Sequence, residues 1–162
     1  KDEAQIRWLW QPGEREAWRA MTPDAQREHG RQVLQRSRDA FGSGPKWAFS
    51  VDTAAARCVA YVDCDLANAH VPAGEANISY AAHPDARGRG YVSRAVRLVL
   101  RFLAEHTAAR RADLIVDAEN YASLRVARSV GAVEVERWIN ERDREMVRHS
   151  LGTASAVGLP PS

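Results

Sequence analysis

Cysteine is scarce in this chain: two residues in 162, Cys58 and Cys64. They sit six apart in what reads as one strand, where extended backbone would hold them about 20 Å apart, too far for a mutual disulfide. They also lack partners at metal-ligand spacing, so both read as structural thiols of a reducing, cytoplasmic compartment, and no metal is expected. Long apolar runs are missing as well. Nothing approaches the roughly 20 residues that span a bilayer, and no membrane partner is expected. Charge of one sign is not in excess, with 23 Lys and Arg against 21 Asp and Glu and a net charge of +2. That is too little to argue for nucleic acid, and the arginines are mixed with acids along the chain. There is no Gly-Lys-Ser/Thr, which excludes a P-loop, and no Gly-x-Gly-x-x-Gly, because Ser93 stands three places after Gly90. Repeats are absent too. The length suits one domain, expected over 1–151, with a small, Pro-containing loose tail over 152–162.

What is present is organised around residues 78–103. Tyr80 and Ala82 alternate with Ser79, Ala81 and His83, the period of a strand with two faces. Pro84 ends regular pairing, because it has no N–H to donate. From Val92 the period becomes helical: Val92, Ala95, Val96, Val99 and Leu103 share one face, and Arg94, Arg97, Arg101 and Glu105 the other. Between strand and helix lies Arg87-Gly88-Arg89-Gly90-Tyr91. A helix start leaves backbone N–H groups unpaired at the positive end of its dipole. Glycines there let a ligand approach the backbone, and Arg87 and Arg89 add charge, so the segment is a candidate seat for phosphate or pyrophosphate.

Along the rest of the chain, Ile6, Leu9 and Trp10 have helical spacing, broken at Pro12-Gly13, and Glu14 to Met21 suit a second short helix. Thr22-Pro23-Asp24 is a start signal for a helix to Phe41, closed by Gly42-Ser43-Gly44-Pro45. Strands are expected over 46–51, 57–66 and 75–83. Residues 112–118 are mostly apolar without strict alternation, as in a strand covered on both faces. Asn120 is placed to cap a helix over 121–130, with Gly131 in its left-handed terminal position. Two antiparallel strands, 132–138 and 144–151, complete an α/β fold: a mixed, mostly antiparallel sheet with helices on both faces.

Arg87-Gly88-Arg89-Gly90-Tyr91-Val92 resembles the acetyl-CoA signature of the GNAT superfamily of N-acetyltransferases, Gln/Arg-x-x-Gly-x-Gly/Ala, departing from it at Val92. Asn120-x-x-Ser123 with Gly131 resembles the family's second motif. The stretch from Ile78 to Ala95 is most similar to the branch of ribosomal-protein N-terminal acetyltransferases. The resemblance implies the GNAT fold from about residue 2 to 151, with its first strand missing.

It also implies acetyl-CoA as co-substrate and an amine as acceptor: a protein N-terminus or a small-molecule amine. The cofactor would lie in a gap between strands 75–83 and 112–118. Backbone of Ala81, Ala82 and His83 would bond its pantetheine arm. Amides of Gly88, Arg89, Gly90, Tyr91, Val92 and Ser93 would hold the pyrophosphate, beside Arg87. Asn120 and Ser123 would meet the pantetheine end, and Arg125 or Arg128 the 3′-phosphate. Glu75, at the start of the central strand, is the candidate base. Ala127 stands where many members carry a tyrosine acid, which leaves Ser123 as the candidate donor to the departing sulfur. Trp8, Trp10, Trp18 and the 67–74 loop are candidate lining for the acceptor. The expected assembly is a monomer or homodimer. A non-catalytic acyl-CoA-binding or sensor module on the same fold is the alternative reading.

Overall fold

A computed structural model describes Trp8, residues 13–41 and residues 43–156. The expected first helix, with Ile6, Leu9 and Trp10, lies outside these residues apart from Trp8, which is helical. The chain divides into two compact units, Lys1–Gly44 and Pro45–Ser162. In the first, α1 spans Glu14–Ala20 and α2 spans Pro23–Phe41. The Thr22 hydroxyl accepts from the Ala25 N–H at 3.2 Å, the capping bond that the Thr-Pro-Asp start implied. Trp18 packs edge-on against His29, and its carbonyl accepts from the Gln26 amide at 2.8 Å.

The second unit is built on a six-stranded mixed sheet in the order β1-β2-β3-β4-β6-β5. The strands are β1 Lys46–Val51, β2 Ala60–Asp65, β3 Ala76–Ala82, β4 Arg111–Asp117, β5 Val133–Ile139 and β6 Glu145–Gly152. β3 and β4 run parallel, and the other neighbouring pairs are antiparallel. Between β3 and β4 the chain crosses over through α3, Tyr91–His106. Between β4 and β5 it passes through α4, Tyr121–Ser129.

Alternation decides which residues form the core. Val62, Cys64, Ala76, Ile78, Ala112, Leu114 and Val116 turn to one face of the sheet. There they meet Ala95, Val96, Val99, Leu100 and Leu103 of α3 and Ala127 of α4. Phe102 closes the β1 end, packing edge-on against Trp47 and Phe49 at centroid distances of 5.6 and 5.2 Å. This packing anchors α3 rigidly on β2, β3 and β4, and so fixes where its first turn points.

β4 is covered on both faces, as expected: Ala112, Leu114 and Val116 lie toward the helices, and Asp113 and Asp117 are buried on the opposite face. Two local expectations change. Cys58 is not in a strand: it sits in the loop before β2, exposed and with φ of 51°. The tail begins later than residue 152. Gly152 still pairs in β6, and Thr153–Ala156 form a 3₁₀ turn in which buried Thr153 is bonded to the carbonyls of Ala109 and Arg110, each at 3.0 Å.

Two leucines on α3 test this packing. Leu100 is 1% exposed and Leu98 is 64% exposed. Leu100→Ala should lower unfolding free energy by about 2–5 kcal/mol, while Leu98→Ala stays within roughly 0.5 kcal/mol. Urea denaturation of both variants beside wild type reads the difference.

Candidate active site

Pairing between β3 and β4 covers two rungs, Ala76 with Ala112 and Asn77 with Asp113. Beyond them the strands part, leaving one edge of Ile78–Ala82 and of Leu114–Asp117 without a strand neighbour. Which backbone groups face the gap follows from the antiparallel ladder. The N–H of Leu66 bonds the carbonyl of Pro45, and that of His83 bonds the carbonyl of Val59. Alternation then commits Ala81 and His83 to β2, and turns the N–H and C=O of Tyr80 and Ala82 toward β4. Of the three residues expected to line the gap, only Ala82 does so, and Tyr80 joins it.

At the mouth of the gap, β3 leads through a 3₁₀ turn, Pro84–Ala86, into the glycine loop and α3. The His83 ring caps that turn, accepting from the Asp85 N–H at 3.4 Å, and its side chain lies in solvent. Gly90 is the N-cap of α3 with φ of 74°, a left-handed conformation that suits glycine, and no side chain caps the helix. The first helical bond runs from Arg94 N–H to the Gly90 carbonyl at 3.1 Å. The amides of Tyr91, Val92 and Ser93 precede it and have no acceptor within the helix. No acidic residue occupies this first turn. Val92 points into the core, so its bulk lies away from the loop. Arg94 stacks over the Tyr91 ring at 5.2 Å and donates to the Arg89 carbonyl at 3.2 Å, stiffening the loop from behind. Gly88, φ 71°, and the side chains of Arg87 and Arg89 are exposed at the same place.

α4 closes the far side. Asn120 caps it, its side-chain oxygen accepting from the Ser123 N–H at 3.2 Å. The Tyr80 hydroxyl donates to the Ser123 carbonyl at 3.3 Å, tying β3 to α4 across the splay. Burial pushes that phenol up to about 12, so it stays a neutral donor. Ser129 bonds Ser93 hydroxyl to hydroxyl at 2.7 Å, joining the end of α4 to the start of α3. Arg125, one turn before Ser129, therefore shares the face that looks toward the α3 N-terminus. Arg128 instead lies close enough to His149 of β6 for its charge to oppose protonation there.

At the apex, where pairing stops, the sheet face opposite α3 carries a polar cluster. Glu75 precedes β3, with its side chain 20% exposed. Its carboxylate lies 3.9 Å from Arg111 and 4.0 Å from Arg148, and Arg148 is 3.5 Å from Asp113, whose side chain is fully buried. Burial, then the neighbouring Asp113 carboxyl, holds Glu75 above the ordinary carboxylate range, against the pull of the two arginines. Beside them Asn77 donates to the Ser79 hydroxyl at 3.1 Å. On β2, Asp63 accepts from the Tyr61 hydroxyl at 2.7 Å and pairs with Lys46 at 3.6 Å.

Sequence reasoning placed Glu75 in this group but missed Asp63, Tyr80, Asp113 and Arg148. The available signal was Asp113 and Asp117 alternating with apolar residues. Trp18 is engaged inside the first unit, and Trp10 lies outside the described residues.

The chain matches the family described as Acetyltransferase (GNAT) domain over residues 2–133. No curated protein matches it. Among solved structures it is similar to the spermidine N-acetyltransferase of Vibrio cholerae in complex with CoA and spermine: 17% identity and a TM-score of 0.63, over 78% of this chain and 76% of that one. It is also similar to the microcin C7 self-immunity acetyltransferase MccE in complex with acetyl-CoA and AMP: 15% identity and a TM-score of 0.63, over 75% and 68% of the two chains. At such identities the likeness is one of fold. The parted strands, the uncapped helix start behind a glycine loop and the match over most of the sequence agree, and the chain belongs to the GNAT acetyltransferase domain family.

Proposed function

We propose that this protein transfers the acetyl group of acetyl-CoA to a primary amine by direct attack. The observation that carries the reading is the parting of β3 and β4 beside an uncapped α3 N-terminus. One end of the gap suits an anion, and its wall offers backbone groups that an amide-bearing arm can pair with as an added strand. The amides of Tyr91 to Ser93 take the pyrophosphate, with Arg87, Arg89 and Arg125 adding charge. The arm then runs inward along Ala82 and Tyr80, which brings the thioester to the apex beside Glu75 and Asp113.

The acceptor amine must lose a proton to attack. A lysine-like amine costs roughly 4–5 kcal/mol to neutralise at pH 7, an α-amine about 1–2 kcal/mol. Glu75, raised above its ordinary range, is the base we assign. Glu75 takes the proton that the ammonium loses before attack; the neutral nitrogen then forms a bond to the carbonyl carbon, the C–S bond breaks, and the second N–H proton passes to the departing sulfur, which leaves as CoA thiol beside the Ser123 hydroxyl. Tyr80 positions Ser123 by holding its carbonyl. The motif around residues 78–95 resembles the ribosomal-protein branch, which supports an N-terminal α-amine. The spermine in the Vibrio cholerae structure supports a small polyamine.

Gly90→Glu places a carboxylate in the anion seat and strains a left-handed position. It should weaken acetyl-CoA binding roughly 100-fold by calorimetry, while a melting curve near wild type shows the fold retained. Unchanged affinity would refute the seat.

The raised Glu75 pKa also fixes a sign. A carboxyl whose folded pKa lies above its unfolded value opposes folding once ionised, so its penalty is absent at acid pH and grows as pH rises through the folded pKa. Glu75→Gln should therefore match wild type at acid pH and become the more stable protein toward neutrality, while losing the rise in kcat/KM that accompanies ionisation of Glu75. Melting curves and rate profiles across pH check both.

A further inference from the structure

The apex holds more acceptor atoms than donors. Asp63 Oδ1, Glu75 Oε2, Asn77 Oδ1 and Asp113 Oδ1 are buried, and no hydrogen-bond donor reaches them. Buried acceptors left unpaired are costly, so a set of them on one face needs an explanation. Glu75 and Asp113 are offset by the nearby Arg148 guanidinium. Asp63 and Asn77 lie toward β2 in the same cluster. They are 5% and 8% exposed, and their other polar atoms are already spoken for by Tyr61, Lys46 and Ser79.

Register places these two residues on one sheet face as diagonal neighbours. Asp63 pairs with Ser79, and Asn77 lies one step of two residues along the same face of β3. Such diagonal neighbours are about 7–8 Å apart at the backbone, within reach of one group bridging their side-chain tips. What is missing is a donor with no acceptor of its own, and an ammonium has that chemistry. Asn77 also pairs with Asp113. The bridging point is therefore roughly 5–10 Å, one to two strand spacings, from the base at the apex.

We propose that Asp63 and Asn77 form a subsite for a second, charged ammonium on the acceptor, so that the substrate is a small linear diamine or polyamine. It reacts at one nitrogen, neutralised by Glu75, and is anchored through the other. This rests on the acetyltransferase reading and names the substrate class for the same site. Lys46 is the subsite's competitor. Its ammonium lies 3.6 Å from Asp63 while its side chain is half exposed, and a diamine takes over the neutralisation that it now provides.

The test compares diaminopropane, diaminobutane and diaminohexane with propylamine, butylamine and hexylamine as acceptors, reading CoA thiol release. Calorimetric binding of diaminobutane is measured in parallel, so that one readout is independent of turnover. For wild type, kcat/KM should favour the diamine over its matched monoamine roughly 10–100-fold, the scale of a charge-assisted bond. Asp63→Asn should collapse that ratio toward one through KM. Lys46→Ala should enlarge it, a gain that misfolding cannot mimic. Equal kcat/KM for diamines and monoamines, or a ratio unmoved in both variants, overturns the proposal, as does preference for a peptide α-amine over every diamine. Diaminobutane binding that Asp63→Asn abolishes, without thiol release from any amine, defeats the acetyltransferase reading and leaves the cation subsite standing.

Discussion

Two strands that stop pairing are the constraint on which the rest of this structure depends. Beyond Asn77 and Asp113, β3 and β4 separate, and the backbone groups of Tyr80 and Ala82 lose the neighbour a parallel ladder would supply. An interior sheet position without ladder bonds is unfavourable unless something else fills it. The protein holds the gap open with side-chain ties: Tyr80 to Ser123 across it, Ser93 to Ser129 above it, and Arg144 to Asp117 at the end of β4. Behind these, Leu100 and Leu103 pack α3 onto the sheet, so the gap has fixed walls.

The two sheet faces divide the work. The face under α3 and α4 is apolar and rigid, and it aims the uncapped first turn of α3 at the mouth of the gap. The opposite face gathers Asp63, Glu75, Asn77, Asp113 and Arg148 around the last β3–β4 rung. In the mechanism we propose, a cofactor arm entering from the mouth and an amine arriving over the polar face would meet at that rung. Strand alternation alone keeps the two environments apart, since each residue along β2, β3 and β4 serves one face or the other.

Much of the fold was legible because it rests on local signals. The Thr22-Pro23 start, the Asn120 cap, Gly131 at the end of α4 and the change of period after Gly90 each act within a few residues. The uncapped α3 start behind the glycine loop was legible for the same reason. The gap's wall was only partly so. Ala81 and His83 sit in the right segment, but their backbone direction depends on the register with β2, which no local pattern encodes. Asp113 was hidden in a strand that read as mostly apolar, and its meaning comes from Glu75 and Arg148, 38 and 35 residues away in sequence. Asp63 reads as a surface acid until β2 is placed beside Ser79. Contacts between strands distant in sequence carry this site, and composition cannot supply them.

The central claim is that the β3–β4 gap receives the cofactor's arm as an added strand. Residue-resolved amide hydrogen exchange, with and without acetyl-CoA, addresses it most directly. The account predicts new protection at Tyr80 and Ala82, whose N–H groups face the gap, beside amides of Tyr91 to Ser93. Ala81 and His83, already bonded to β2, should change little. Protection that rises equally along β3, or appears only at the α3 start, would contradict it and place the cofactor outside the gap.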